Sequence, residues 1–204
     1  CHQEGLQMGR IVVFENVTLD GVMQAPARPD EDQRGGFRYG GWAIPYNDAV
    51  MGRFAGEHMS HRGALLLGRK TYEDFYAVWP NRTDNPFTEV LNKTQKYVAS
   101  TTLQEPLVWS NSSLLKGDVA EAAARLKTQT ESDMVVLGSG SLVQTLRNYS
   151  LVDQYVLQIH PLVLGSGHRL FPDGAYAALR LVDSLTTTTG VVIATYEVAE
   201  PREG

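Results

Sequence analysis

The chain has 204 residues, of which 43% are hydrophobic and 20% charged, with a formal charge of −5 and a single cysteine. This balance is enough to bury a full core and excludes disorder, and the net negative charge argues against duplex DNA, RNA or an anionic membrane as the main partner. One cysteine rules out an internal disulfide and a cysteine-built zinc site; with no bilayer-length apolar run and no visible secretory leader, a reducing, cytoplasmic setting is expected.

Residues 1–9 read as an N-terminal extension, a cloning or upstream-start remnant, ahead of one domain over 10–200. A leading Cys also fits a lipid-modified mature N-terminus. Arg10 to Thr18, with Ile11, Val12, Val13, Phe14 and Val17, predicts a buried first strand that ends at Leu19-Asp20-Gly21. From Val22 to Trp42 the composition turns to proline, acid and glycine, which predicts a long loop, either a lid or substrate wall or a tolerated surface insertion. Ile44-Pro45-Tyr46-Asn47-Asp48 opens a helix to about Met59, with Pro45 in the first turn and Val50, Met51, Phe54 and Ala55 toward the core. His58 and His61 flank its end without the company a metal site needs, so they read as surface or C-terminal residues that complement the helix dipole.

Ala64 to Leu67 predicts a second buried strand running into Gly68-Arg69-Lys70-Thr71, a helix mouth that carries two cations and a hydroxyl. Backbone amides, the helix dipole and these side chains together suit an anion, although two basic residues alone would equally fit a solvated helix end. A helix closing near Pro80, a short helix over Asp84 to Asn92 and a strand over Gln95 to Ser100 follow, and that strand ends in the hydroxyls of Ser100 and Thr101. Leu107 to Leu115 holds a short strand or two, and Asp118 to Lys127 an amphipathic helix.

The centre of the chain is Met134 to Leu146. A buried strand enters the turn Gly138-Ser139-Gly140-Ser141-Leu142, and a helix opens on Ser139 or Ser141. Such a turn leaves unpaired amides pointing at one spot, and glycine lets an anion approach, although many glycine turns serve the turn alone. Asp153 to His160 is a further strand. Leu179 to Ser184 and Val191 to Val198 form a terminal antiparallel hairpin, an edge that a homodimer would cover. Strands alternating with helices, then a hairpin, predict a three-layer α/β domain with a mostly parallel central sheet.

The order of Val17-Thr18-Leu19-Asp20-Gly21, Leu67-Gly68-Arg69-Lys70-Thr71-Tyr72-Glu73, Val98-Ala99-Ser100-Thr101, Leu137-Gly138-Ser139-Gly140-Ser141-Leu142 and Pro161 through Phe171 resembles the dihydrofolate reductase-like superfamily. The resemblance covers about residues 10 to 198. It points to the branch typified by the C-terminal reductase domain of the bacterial bifunctional riboflavin biosynthesis protein. It implies an NADPH-dependent reductase acting on a C=N or C=O bond of a small conjugated heterocycle, of pterin or ribosylamino-pyrimidine type. Gly68, Arg69, Lys70, Thr71, Ser100 and Thr101 would flank the adenosine 2′-phosphate, and Gly138, Ser139, Gly140, Ser141 and Leu142 the pyrophosphate. The nicotinamide would lie along Asn16, Val17 and Met23. An extra dianion needs cations and hydroxyls, which agrees with Arg69 and Lys70.

Dihydrofolate reductases carry W-x-x-P-x-D or W-x-x-P-x-E after the first loop, whereas this chain reads Trp42-Ala43-Ile44-Pro45-Tyr46-Asn47 with Asp48 following. Asn cannot relay a proton, and one helical step turns a side chain by roughly 100°, so Asp48 does not inherit that geometry unless the helix is shifted. Asp48 is the catalytic candidate, and Asp20, Trp42, Tyr46 and Asn47 the substrate-side candidates. For Trp42 and Tyr46 packing is an equal reading, and for Asp48 a helix-end carboxylate. His160 reads as a buried or edge histidine. A non-catalytic NADPH-binding or assembly module is the rival from another class.

Overall fold

The computed structural model describes residues 8–61, 63–85 and 87–199, so the expectations for residues 1–7 fall outside the described residues. Within these the chain runs through β1 (Ile11–Thr18), α1 (Ala49–Ser60), β2 (Ala64–Gly68), α2 (Arg69–Val78), α3 (Phe87–Lys93), β3 (Gln95–Ala99), β4 (Ser112–Leu115), α4 (Val119–Gln129), β5 (Met134–Leu137), α5 (Gly140–Asn148), β6 (Gln154–His160), β7 (Leu179–Thr186) and β8 (Val192–Val198). The strands form one mixed sheet in the order β4-β3-β2-β5-β1-β6-β8-β7, mostly parallel and closed by the β7–β8 antiparallel hairpin, as the alternation of elements predicts. The residues sort into two compact units, Cys1–Val12 with His61–Asp153 and Val13–Ser60 with Gln154–Gly204.

In the first unit, Ala64–Leu67 and Met134–Val136 are buried at every position, the near-continuous apolar run of a parallel strand covered on both faces. β2 pairs in parallel with β3, Ala64 opposite Gln95, and with β5, Ala64 opposite Met134; β4 extends the ladder beyond β3. α4 begins where the Asp118 carboxylate accepts the Glu121 N–H at 2.9 Å, and it buries Ala120, Ala122 and Ala123. α5 buries Leu142, Val143 and Leu146.

Below α2, the buried Tyr72 hydroxyl accepts the Trp109 backbone N–H at 2.9 Å, and the indole N–H donates to Asn92 at 2.7 Å. Lys96 is fully buried beside them. Its ammonium donates to the Leu91 and Thr94 carbonyls at 2.7 Å each and lies 4.5 Å from the centre of the Trp109 ring. Burial pushes the Lys96 pKa down to about 8. The two carbonyls and the π face satisfy its three donors, so Lys96 is a structural cation.

In the second unit, β1 is buried except at the half-buried Asn16, and β6 and β7 both pair with β8 antiparallel. The Phe14 ring meets Phe54 at 6.3 Å and His58 at 5.6 Å, with His58 stacked on Phe54 at 5.1 Å. His58 thus lies in the last turn of α1, as the C-terminal reading expects, but half-buried against Phe14 and Phe54 and not on the open surface.

The helix expected from Ile44 begins later. Ile44–Tyr46 is a single 3-10 turn, Asn47 is extended at φ −62° and ψ 131°, and α1 starts at Ala49. The Asp48 carboxylate accepts the Met51 N–H at 2.8 Å, which makes it the effective cap.

The long loop before this turn has a core of its own. Val22, Ala25, Phe37, Trp42 and Ala43 are buried together, with Leu162 and Leu164 packed against them. The Gln24 side chain ties the loop internally, donating to the Asp32 and Arg34 carbonyls at 3.2 and 3.0 Å and accepting the His168 N–H at 2.9 Å. At Gly40 a Cβ would stand 2.4 Å from the Pro29 carbonyl oxygen, so only glycine lets the loop close on itself here. The loop is therefore packed on buried residues of its own, joined by Leu162 and Leu164.

Candidate functional site

Two groups of site residues are built separately, one in each unit. In the first unit, the strand–glycine–helix turns after β2 and β5 meet through their side chains. The Ser139 hydroxyl accepts the Gly68 N–H at 2.9 Å and lies 2.9 Å from Thr71 Oγ1. Gly138 has φ +56°, and a Cβ there would stand 3.2 Å from Thr71 Oγ1, so a side chain would press the two turns apart.

Both α2 and α5 open without a side-chain cap, which leaves first-turn amides available on two helices. The Gly68 amide, in contrast, is already bonded to Ser139. Leu142 is buried, so any part it plays toward an anion is through its backbone, while Gly138, Ser139 and Gly140 are half-buried and Ser141 is exposed.

The cations at this mouth are accessible. Arg69 makes an exposed i,i+4 pair with Glu73 at 3.2 Å, a contact of the class worth about 0–1 kcal/mol that a phosphate can displace. Lys70 is exposed and has no ion-pair partner among the described residues. At the end of β3, Ser100 Oγ accepts the Thr102 and Leu103 N–H groups at 3.1 and 3.0 Å, leaving its own proton to donate, and Thr101 is exposed.

In the second unit the carboxylates expected to face substrate are committed to the protein. Asp20 accepts the Thr18 hydroxyl and the Leu164 and Gly165 N–H groups, the last two at 3.2 and 2.7 Å. Burial raises its pKa, but the bonds from Thr18, Gly165 and Leu164 outweigh that and hold the carboxyl below its ordinary value.

Asp48 Oδ2 accepts the Thr188 N–H at 2.7 Å and its hydroxyl at 2.6 Å, while Oδ1 caps α1. These bonds, that from the Thr188 hydroxyl foremost, lower its pKa, the opposite of what a proton donor needs. In this geometry Asp48 caps α1 and pins the Thr188 turn.

Trp42 is buried with its indole N–H donated to the Gln24 carbonyl at 2.7 Å, which puts its ring in the loop core, the packing alternative of the two readings. Trp42 and Tyr46 meet the His160 ring edge-on at 5.1 and 5.5 Å. His160 is completely buried, its Nδ1 2.9 Å from the Gln158 carbonyl oxygen and its Nε2 without a partner. Burial lowers its pKa and keeps the ring neutral. Asn47 is exposed, and its amide side chain has no partner among the described residues. On the first strand Val17 is buried and Asn16 half-buried; beyond its end Met23 is buried, and the Met23 N–H is already donated to the His168 carbonyl at 2.9 Å.

Glu15 is the chemistry-bearing side chain that sequence reading passed over. It is 4% exposed and its Oε1 has no hydrogen-bond partner. Burial pushes its carboxyl pKa well up, and Glu31 nearby adds to the shift, so the neutral form is favoured over the carboxylate relative to an exposed glutamate. The available signal was a single acid following the apolar run Ile11 to Phe14 inside the strand. The Ser139–Thr71 hydroxyl contact had no signal at all, since 68 positions separate the two residues.

A mixed sheet with these glycine turns defines a dihydrofolate reductase-like fold. The chain belongs to the RibD C-terminal domain family, matched over residues 10–193. It is 29% identical over 197 residues to the uncharacterized protein YyaP of Bacillus subtilis, covering 94% of this chain and 96% of that one. In fold it is similar to a putative riboflavin biosynthesis protein from Shewanella, with TM-score 0.69, 21% identity and coverage of 94% and 99%. It is also similar to an Enterococcus faecalis dihydrofolate reductase complexed with NADP(H), with TM-score 0.60, 14% identity and coverage of 95% and 98%. The family and the fold are of reductase type. Among the described residues there is no helix long and apolar enough to cross a membrane and no cluster of side chains suited to a metal ion.

Proposed function

We propose that this protein is an NADPH-dependent reductase that passes hydride to a C=N or C=O bond of a small conjugated heterocycle, of pterin or ribosylamino-pyrimidine type. The observation that carries the reading is the pairing of two helix-opening turns in the first unit, joined by Ser139, with accessible cations on one of them. Arg69, Lys70, Thr71, Ser100 and Thr101 supply charge and hydroxyls for the 2′-phosphate, and the backbone from Gly138 to Leu142 supplies amides for the pyrophosphate. Asn16 and Asn47 are the polar groups left for the nicotinamide and the heterocycle. The bound dinucleotide supplies the hydride, and the protein's part is positioning and electrostatics. The C-terminal hairpin edge serves a homodimer.

Quenching of tryptophan fluorescence by NADPH far more than by NADH is the expected result, and Arg69→Ala should weaken NADPH binding about tenfold while leaving NADH little changed. Equal affinities in the unmodified protein would remove the proposal. NADPH consumption across pterins, pyrimidines and quinones then identifies the substrate class. A second reading, a non-catalytic NADPH-binding module, draws on Asn47 and on the commitment of Asp48 to Thr188; absence of turnover with every acceptor despite tight NADPH binding would favour it.

A further inference from the structure

We propose that Ser139 is a positioning residue whose hydroxyl sets the direction of the Thr71 proton at the mouth of α2, so that Thr71 donates to a phosphate oxygen of the dinucleotide. The proposal rests on the NADPH reading above. Its starting point is a strained backbone: Ser139 sits at φ 59° and ψ 46°, left-handed space that disfavours residues other than glycine. In exchange the site gains a hydroxyl with three partners.

Those partners over-subscribe it. Ser139 Oγ lies 2.9 Å from the Gly68 N–H, 3.1 Å from the Leu137 carbonyl oxygen and 2.9 Å from Thr71 Oγ1. A hydroxyl has one proton and two lone pairs. Gly68 can only donate and Leu137 can only accept, so the proton inventory allows two states.

In the first state Ser139 donates to Leu137, and the Thr71 hydroxyl takes no direction from it. In the second Ser139 donates to Thr71, and the Thr71 proton is free for an incoming acceptor. An ionised phosphate oxygen only accepts, and a bond to it is roughly twice as strong as a neutral one, so the anion draws the pair into the second state at the expense of the longer Leu137 contact. The 3.2 Å approach that a Gly138 Cβ would make to Thr71 Oγ1 shows how little room the Thr71 side chain has to find another arrangement.

The test is a double-substitution cycle on the full chain, reading NADPH affinity by fluorescence. Ser139→Gly keeps the left-handed backbone and removes the hydroxyl; Thr71→Val keeps the shape and removes the hydroxyl. Each alone should weaken NADPH about tenfold. Together they should weaken it no more than Thr71→Val does, because Ser139 acts through Thr71. Thr71→Ser should restore binding, an outcome that a purely structural role for the Thr71 side chain would not give. Additive losses, or an unchanged affinity in Ser139→Gly, would overturn the proposal. If the unmodified protein fails to bind NADPH, the reductase reading falls, and the same cycle run with inorganic pyrophosphate decides the positioning role by itself.

Discussion

Asp48 and Asp20 are the carboxylates a substrate would be expected to meet, and both spend their oxygens on backbone amides and hydroxyls of the protein. Asp48→Asn should lower the melting temperature by loosening the α1 cap and the Thr188 turn, while the pH profile of turnover stays where it was; a shifted profile would return Asp48 to the chemistry. Glu15 titrates in the opposite sense. Its folded pKa is raised, so between the ordinary carboxyl range and that raised value the folded chain keeps a proton the unfolded chain has released. Its contribution to stability is complete at acid pH and is lost as pH rises, by up to about 1.4 kcal/mol per pH unit. Glu15→Gln should therefore gain stability over the parent as pH goes from 5 to 8, measured by urea unfolding. Asp20 and Asp48, with lowered values, favour folding above the ordinary carboxyl range and lose that contribution as acid protonates them.

At the scale of elements, legibility followed how local the signal was. β2, β5 and the glycine turns after them could be read from the chain because each is a contiguous apolar run ending in small residues. α1 could not be placed, because Pro45 in a first turn fits an α-helix and a 3-10 turn equally, and the break at Asn47 is fixed by Thr188 and Thr189, the latter through a 2.6 Å bond to the Tyr46 carbonyl. The packing of the long loop was likewise hidden, since Leu162 and Leu164, which complete its core, come from a segment more than a hundred positions away. The opening of α5 carries its own prediction. Gly138→Ala meets both a left-handed φ of +56° and the Thr71 side chain, and should cost about 1–2 kcal/mol in stability together with a loss of NADPH affinity. An unchanged urea midpoint would mean that the turn relaxes freely.

For the molecule as a whole, β7 ends the sheet with every residue after Leu179 exposed, including Leu181 at 53%, Val182 at 47% and Leu185 at 42%. A long apolar edge of this kind invites a partner strand. Light scattering should report a homodimer, and Leu181→Lys with Leu185→Glu should give a monomer of unchanged melting behaviour; a monomeric parent would refute the association.

The second unit is assembled from two stretches of chain, Val13–Ser60 and Gln154–Gly204, with the first unit's His61–Asp153 between them. Asp20 must wait for Gly165, Gln24 for His168 and Asp48 for Thr188, each 140 or more positions later. During synthesis, then, the early β1–α1 stretch leaves the ribosome with its partners untranslated, while the stretch from His61 to Asp153 holds most of its own. Nascent chains stalled after Asp153 should resist protease over the later stretch and be cut within residues 13–60, a vulnerability that ends only as the last strands emerge.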